Sequence, residues 1–238
     1  GYPWSYLLIW VWSIALMLVL ALAASVTALR RRDAVLTAVA LLASVVVVRA
    51  TISGSEASAP NPVLSRAVTA IVPTVVDALD PNDRYFVTWT DAVNLGGFGF
   101  GMVDELERRG VDVAVSPGFG TQFGPHRTVT ARPADAQLVV ATGSAIDRWS
   151  RVPAVREVVR LDARTPAERR ASSSVRAALL RQLRAAGLDD LVPVVDANLY
   201  AVLYDERLTT SARDLVDRLG VLGAPVAVFL APMGTELP

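Results

Sequence analysis

Apolar residues are distributed in two different ways along the chain. Residues 6–29 form an uncharged apolar run, and a second apolar run covers residues 34–48. Beyond residue 62, apolar residues recur in short segments with the spacing of strands and helices. These patterns divide the chain into a hydrophobic part (residues 1–52), a small, polar, Pro-containing linker (residues 53–62) and a globular part (residues 63–238).

The hydrophobic part is predicted to be a transmembrane helical hairpin. Its first run is 24 residues long, enough to cross a hydrocarbon core of about 30 Å. The second run is long enough if it extends to Ile52 and Arg49 snorkels to the interface. A signal peptide or a buried soluble hairpin is the alternative. A signal peptide needs basic residues before its apolar run, whereas aromatic residues precede this one.

Arginines between the two runs predict the orientation. Arg30, Arg31 and Arg32 separate the two apolar runs, and the positive-inside rule places such a cluster in the cytoplasm. Everything after about residue 54 is therefore expected to be extracytoplasmic, so the predicted localisation is a multi-pass cell-membrane protein with an external C-terminal domain.

The globular part alternates between strand and helix patterns. Strands are predicted over residues 85–90, 111–115, 137–141, 157–161, 191–195, 199–204 and 224–230. Helices are predicted over residues 63–79, 93–109, 165–186 and 209–219, the third beginning with Thr165 and Pro166. The predicted fold class is α/β, with two transmembrane helices followed by an extracytoplasmic three-layer domain with a mostly parallel sheet.

Composition supports the membrane prediction and excludes several kinds of chemistry. The chain is 53% hydrophobic, contains no Cys and has a single histidine, His126. Disulfides, thiolate sites and a multi-histidine metal site are therefore excluded, and we predict neither a metal nor a cofactor. Residues 53–238 hold 19 Arg against 22 Asp and Glu, a net charge of −3. This balance does not resemble that of a nucleic-acid-binding domain.

A glycine-rich segment follows the strand predicted over residues 85–90. Residues 96–101 have the spacing G-G-x-G-x-G, and the sequence DAVNL separates Thr90 from Gly96. A dinucleotide fingerprint needs its first glycine directly at the strand-to-helix turn, so nucleotide binding is not favoured. We predict instead that the helix begins near Asp91 and that its glycines allow close approach to a neighbouring element.

Five residues are candidate ligand-binding residues. Thr88, Thr90 and Asp91 come at the carboxyl end of a predicted parallel strand, where α/β domains place ligand sites. The alternative is that Asp91 only caps the following helix. His126 and Arg127 lie in a Gly- and Pro-rich loop and could bind an anionic group, or His126 could act as a base, although a solvated surface position is the alternative. No residue is assigned as catalytic.

Other polar groups are interpreted as structural. Ser144 lacks the flanking glycines of a hydrolase nucleophile turn. Asp196, Asp205 and Glu206 are expected to flank turns. The arginines of residues 164–184 are spread around a predicted helix and indicate a solvated face, with contact to anionic lipid as the alternative.

Three segments carry a resemblance to a known group of proteins: YFVTWTDAVNLGGFGFGMVDELERRG, ATGSAIDRW and APVAVFLAP. Together they resemble the C-terminal extracytoplasmic region of actinobacterial polytopic membrane proteins. Some of those are similar to C-type, polyprenyl-phosphate-sugar-dependent, family 39-like glycosyltransferases. In such transferases the catalytic acid lies in an early extracytoplasmic loop. No part of this chain matches that loop, so the resemblance carries over no catalytic residue.

The resemblance implies that the chain is the C-terminal part of an integral membrane protein. Its globular part is then the accessory or acceptor-binding domain of a membrane glycosyltransferase in cell-envelope glycan assembly. The implied partners are the lipid bilayer, the remaining membrane helices of a longer chain, and a glycan or polyprenyl-phosphate sugar, but no nucleic acid. Two alternatives stay open: a non-catalytic cell-envelope binding or scaffold domain, and a self-contained enzyme using Asp91 and His126.

Overall fold

A computed structural model describes residues 62–93 and 96–237, which contain five β-strands and eight α-helices. All of these described residues belong to one compact unit. The strands are β1 (Arg84–Thr90), β2 (Asp112–Ala114), β3 (Ala136–Thr142), β4 (Arg156–Leu161) and β5 (Val226–Ala231). The helices are α1 (Pro62–Asp77), α2 (Gly97–Arg108), α3 (Gly120–Phe123), α4 (Ala145–Trp149), α5 (Pro166–Ala185), α6 (Val194–Ala197), α7 (Leu199–Leu203) and α8 (Thr210–Leu222).

The five strands form one mixed sheet in the order β2-β1-β3-β5-β4. Strand β1 pairs in parallel with β2 and with β3, whereas β5 runs antiparallel to both β3 and β4. The prediction of a mostly parallel sheet is therefore wrong, since two of the four pairings are antiparallel. The cause is the connection from β4 to β5, which leaves the sheet and returns to it at the same end of the strands. A parallel return would need a crossover to the opposite end of the strands.

Alternate residues of the central strand face two different cores. Leu138 and Val140 of β3 pack with helices α1 and α2 on one face of the sheet. Val139 and Ala141 pack on the other face with α4 and with the neighbouring strand β5. This alternation follows from the two-residue period of a strand, and its continuous burial gives β3 the apolar sequence of a central strand.

Residues 162–225, between β4 and β5, form a helical insertion with its own apolar core. Val175, Leu179 and Leu183 of α5 pack there against residues of α6, α7 and α8. Thr165 begins α5 with a capping box to Glu168, and Pro166 occupies the first turn, which confirms the predicted start of this helix. The insertion therefore has local start signals and a separate core.

Two predicted strands in this insertion are wrong, because the segments are helical. Residues 191–195 and 199–204 contain α6, α7 and part of a 3-10 helix. Val195, Leu199 and Val202 are all buried and recur at intervals of four and three, which is helical spacing. The Asn198 side chain also accepts from the Ala201 N–H at 3.0 Å and so caps α7.

The predicted transmembrane part of the fold is not supported. Between residues 62 and 237, leaving out 94 and 95, no helix is both long enough and apolar enough to cross a membrane. The 20-residue helix α5 carries Glu168 and several arginines, so its length does not make it a membrane span. Residues 1–52, to which the two membrane helices were assigned, lie outside the described residues. The fold class is accordingly corrected to mixed α/β with a five-stranded sheet.

The glycine-rich segment is a packing motif between β1 and α2. The helix begins at Gly97, later than predicted, and is preceded by Gly96 with a left-handed φ of 82°. A Cβ built on Gly99 would lie 2.4 Å from Trp89 Cδ2, and one built on Gly96 would lie 2.5 Å from Trp89 Nε1. The predicted role of the glycines in close approach is confirmed, and the neighbour is the Trp89 indole.

Replacing Gly99 by Ala should destabilise the fold because the added methyl group overlaps the Trp89 ring. We expect a loss of about 1–3 kcal/mol in the free energy of unfolding, the usual cost of overpacking. Urea denaturation of the purified chain measures it. Gly220→Ala is the matched control, since Gly220 is also helical but its added Cβ meets nothing within 4 Å. That control should be neutral or stabilising by up to about 1 kcal/mol. Equal effects of the two substitutions would contradict the packing role.

Candidate ligand-binding site

The parallel strands β1 and β3 end side by side, and their ends are joined by a buried hydroxyl. Thr142 is 1% exposed. Its Oγ1 donates to Asp91 Oδ1 at 3.0 Å and accepts from the Ala92 N–H at 3.0 Å. The Val93 N–H also donates to Asp91 Oδ1 at 3.0 Å. The segment after β1 is therefore fixed to the end of β3.

Asp91 is not the N-cap residue that the sequence suggested. The N-cap residue of α2 is Gly96, which has no side chain that could accept a hydrogen bond from the helix. Asp91 Oδ2 nevertheless lies 3.5 Å from the Phe98 N–H in the first turn of α2. The carboxylate thus faces the positive end of the helix dipole, although Asp91 comes five residues before the cap residue Gly96.

Thr88 and Thr90 use their hydroxyl groups within the domain. Gln137 Nε2 donates to Thr88 Oγ1 at 3.0 Å, and Trp149 Nε1 donates to Thr90 Oγ1 at 3.2 Å. Both bonds lie on the face of the sheet that carries α4. They explain why these polar residues occur in β1 without requiring a ligand.

His126 and Arg127 lie in a different part of the domain from Asp91. The His126 side chain is exposed, and its carbonyl oxygen accepts from Arg84 Nη2 at 3.4 Å, at the start of β1. Arg127 Nε donates to Glu107 Oε1 of α2 at 2.7 Å. The structure therefore joins His126 to the first residue of β1, whereas Asp91 follows its last. Ligand binding by the five candidate residues stays a prediction, but they do not form one site.

A crevice lies at the edge where β1 and β3 end, between the sheet and the helical insertion, and encloses a cavity of about 180 Å³. The insertion is held there by the Leu199 N–H, which donates to the Ala92 carbonyl at 2.8 Å. The apolar lining comprises Val93, Val195, Leu199, Leu219, Ala224 and Pro225. The polar lining comprises Ser144, Arg164, Ser172, Arg176 and Asp196. None of the five candidate residues is part of this lining.

Arg164 is held at the inner side of the crevice by four acceptors. Its Nε and Nη2 donate to the two carboxylate oxygens of Asp162 at 2.8 and 2.9 Å. Its Nη1 donates to Ser172 Oγ and to the Gly223 carbonyl, each at 3.3 Å. Hydrogen bonds from Arg164 hold the pKa of Asp162 below its usual value. This guanidinium therefore joins the two ends of the insertion.

Arg176 and Asp196 form a second, more accessible pair at the crevice. Arg176 Nε donates to Asp196 Oδ1 at 2.8 Å, and its Nη2 donates to Asp196 Oδ2. The two side chains are 45% and 43% exposed. Hydrogen bonds to Asp196 raise the pKa of Arg176. The Ser144 hydroxyl donates to the Asp196 carbonyl at 2.7 Å and so links the end of β3 to this pair.

The crevice combines an apolar floor with a balanced polar rim, the usual composition of a small-molecule site. It is smaller than the roughly 300–1,000 Å³ of pockets for drug-sized ligands, so it suits a ligand of about one ring. Within the described residues, no group of three His, Asp or Glu side chains could hold a metal ion. The arrangement can therefore bind and orient a small polar ligand.

Sequence reasoning missed the residues that line this crevice. Arg176 was interpreted as part of a solvated helix face, and Asp196 as a turn residue. One usable signal was Ser144, which follows the strand β3 just as Asp91 follows β1. The partners on the insertion had no such signal, because their proximity depends on how α5 and α6 pack.

The chain matches no protein-family model, no curated protein and no solved structure. The resemblance to a glycosyltransferase region therefore stays a prediction. Function is therefore inferred from the crevice.

Replacing Thr142 by Val should destabilise the domain while keeping its shape. The Ala92 N–H would lose its acceptor in a buried position, which costs about 1–3 kcal/mol. We expect that loss in urea denaturation. Thr121→Val, at an exposed position, is the control and should change stability by less than about 0.5 kcal/mol. Equal, small changes in both variants would show that the bond does not stabilise the strand ends.

The stabilising effect of Asp162 should depend on pH in a defined direction. Its pKa is lowered in the folded chain, so its contribution is present above the unfolded value of about 3.9. That contribution is lost as the pH falls through the folded pKa. The difference in unfolding free energy between the wild type and Asp162→Asn should therefore be largest near neutral pH and shrink below about pH 4. Arg164→Met should remove the same pH-dependent part, and a difference independent of pH would contradict the argument.

Proposed function

We propose that residues 62–237 form a carbohydrate-binding domain that holds the acceptor glycan of a cell-envelope glycosyltransferase outside the cytoplasm. The observation that carries the proposal is the crevice between the sheet edge and the helical insertion. It offers an apolar floor and a rim of hydroxyl, guanidinium and carboxylate groups. The catalytic acid of the transferase belongs to another part of the assembly.

The position of the crevice in the sheet supports ligand binding. Strands β1 and β3 are neighbours, and the connection from β1 leads to β2 on one side of them whereas the connection from β3 leads to β4 on the other side. Ligands of α/β sheets bind at such a switch point, beyond the carboxyl ends of the strands. Residues that directly follow β3, among them Ser144, line the crevice at this edge.

The polar groups of the crevice support binding rather than catalysis. Both guanidinium groups are already paired with carboxylates. His126 and Asp91, the residues of the self-contained enzyme hypothesis, do not line the cavity. A general base must come within hydrogen-bond reach of the proton that it removes, and these two residues are attached to different ends of β1.

The paired charges also favour an acceptor glycan over the lipid-linked donor as the ligand. A polyprenyl-phosphate sugar carries a phosphate, which is bound best by an arginine with free, bidentate donors. Arg164 instead donates to Asp162, Ser172 and Gly223. The resemblance described above is consistent with the acceptor role, since the catalytic loop of those transferases has no counterpart in this chain.

Glycoside binding to the purified 238-residue chain tests the proposal. The probes are methyl α-D-mannoside, methyl β-D-galactoside and methyl β-D-glucoside, observed by saturation-transfer NMR. We expect binding of at least one, and its loss in Ala224→Leu, whose larger side chain occupies the cavity. Ala201→Leu, at an exposed position of α7 outside the lining, should bind as the wild type does.

Each other outcome has a defined meaning. Absence of binding for all three glycosides and for the corresponding uronides would overturn the carbohydrate-binding function and leave the scaffold alternative. Binding that survives Ala224→Leu would place the ligand outside the crevice and contradict the assignment of the site. Chemical turnover of a glycoside by the chain alone would show that it is an enzyme.

A further inference from the structure

We propose that the crevice binds a single uncharged sugar residue through neighbouring hydroxyl groups placed on the Arg176–Asp196 pair, and that it discriminates against sugars bearing a carboxylate or phosphate. This inference rests on the proposed function, because it names the ligand class of the same crevice. Five observations support it: the charge balance, the remaining hydrogen-bonding capacity, the fixed position of the pair, the apolar floor and the size of the cavity.

The charges around the cavity cancel in pairs. Arg164 contacts Asp162 at 2.8 Å, and Arg176 contacts Asp196, so two cations are matched by two anions. An anionic ligand at Arg164 would have to displace Asp162, and one at the remaining donor of Arg176 would lie beside the Asp196 carboxylate and be repelled by it. For the largely buried Arg164–Asp162 pair, whose side chains are 14% and 27% exposed, losing one partner is strongly unfavourable. An uncharged ligand avoids that loss.

The Arg176–Asp196 pair keeps hydrogen-bonding capacity that suits the hydroxyl groups of a ligand. Arg176 uses Nε and Nη2 for Asp196, and its Nη1 makes no hydrogen bond to any described residue. Each oxygen of Asp196 accepts one bond from Arg176 and has a further lone pair. A hydroxyl group both donates and accepts. Two adjacent hydroxyls can therefore accept from Nη1 and donate to the carboxylate at the same time.

The pair is also held in place independently of a ligand. The Asp196 carbonyl accepts from Ser144 at 2.7 Å, and the Asn198 N–H donates to the Val194 carbonyl at 2.7 Å in the same short helical segment. Such supports fix the position of the carboxylate before binding. Less conformational entropy is then lost when the ligand binds.

The apolar floor fits the carbon face of a sugar ring. Val195 and Leu199 are 4% exposed, and Pro225 and Val93 complete the floor beside them. A pyranose or furanose presents C–H groups on one face and hydroxyl groups around its rim. With a volume of about 180 Å³, the cavity has room for one residue, such as the end of a glycan chain.

The first experiment compares three neutral glycosides with their uronides. Methyl glucoside, galactoside and mannoside each differ from the uronide only at C6, where a carboxylate replaces the hydroxymethyl group. We measure Kd with the purified 238-residue chain by NMR titration. For the sugar that binds, we expect the neutral form to bind about tenfold tighter or more, a difference of about 1.4 kcal/mol. Equal or tighter binding of the uronide would overturn the inference without any variant.

The second experiment reverses the charge balance with Asp196→Asn. This substitution keeps the Ser144 bond to the backbone carbonyl but leaves Arg176 without its counter-ion. We expect neutral glycoside binding to weaken about tenfold, since the sugar hydroxyl groups lose a charged acceptor, and uronide binding to tighten. Asp190→Asn is the matched control, since Asp190 pairs with Arg207 at comparable exposure away from the crevice. An equal change for both ligand classes would contradict the inference.

The two proposals fail in different ways. If no glycoside, neutral or acidic, binds to the chain, the proposed function falls, and if binding survives Ala224→Leu, the crevice is not the site. If a uronide binds best and Ala224→Leu abolishes that binding, the carbohydrate-binding function stands and only the inferred preference for uncharged sugars is wrong.

Discussion

The architecture depends on one constraint: the chain leaves the sheet after β4 and returns to it, as β5, at the same end of the strands. The helical insertion of residues 162–225 has its own apolar core, which includes no residue of the five strands. Strand β5 must therefore run antiparallel to both of its neighbours. The same connection brings α5, α6 and α7 against the carboxyl ends of β1 and β3. The mixed sheet and the crevice thus have a common origin.

Charge pairing determines what this crevice can bind. Its two arginines form two ion pairs, Arg164–Asp162 and Arg176–Asp196, which differ in their roles. Arg164 is 14% exposed and joins the two ends of the insertion through Asp162 and Gly223. Arg176 is more accessible and keeps hydrogen-bonding capacity at the rim. The inner pair is structural, whereas the outer pair is available to a ligand, and the carboxylate beside each guanidinium favours uncharged polar groups over anions.

Prediction succeeded where a local signal had one physical interpretation. The Thr165–Pro166 start of α5 required only the neighbouring residues, and the glycines after Thr90 could only weaken a helix or allow close packing. It was wrong for residues 191–204, where a run rich in Val and Leu fits a strand or a buried helix. It was also wrong for the sheet, since strand direction depends on a connection longer than any local window.

The sequence by itself determined the positions of the five strands, the start of α5 and the packing role of the Trp89-facing glycines, because these depend on neighbouring residues and simple periodicity. Only the tertiary structure decided the direction of β5 and the assembly of Ser144, Arg176 and Asp196. Those three residues come from three separate elements, and nothing local to any of them encodes the distance to the others. Their juxtaposition depends on how the insertion packs against the edge of the sheet, and that packing creates the candidate ligand site.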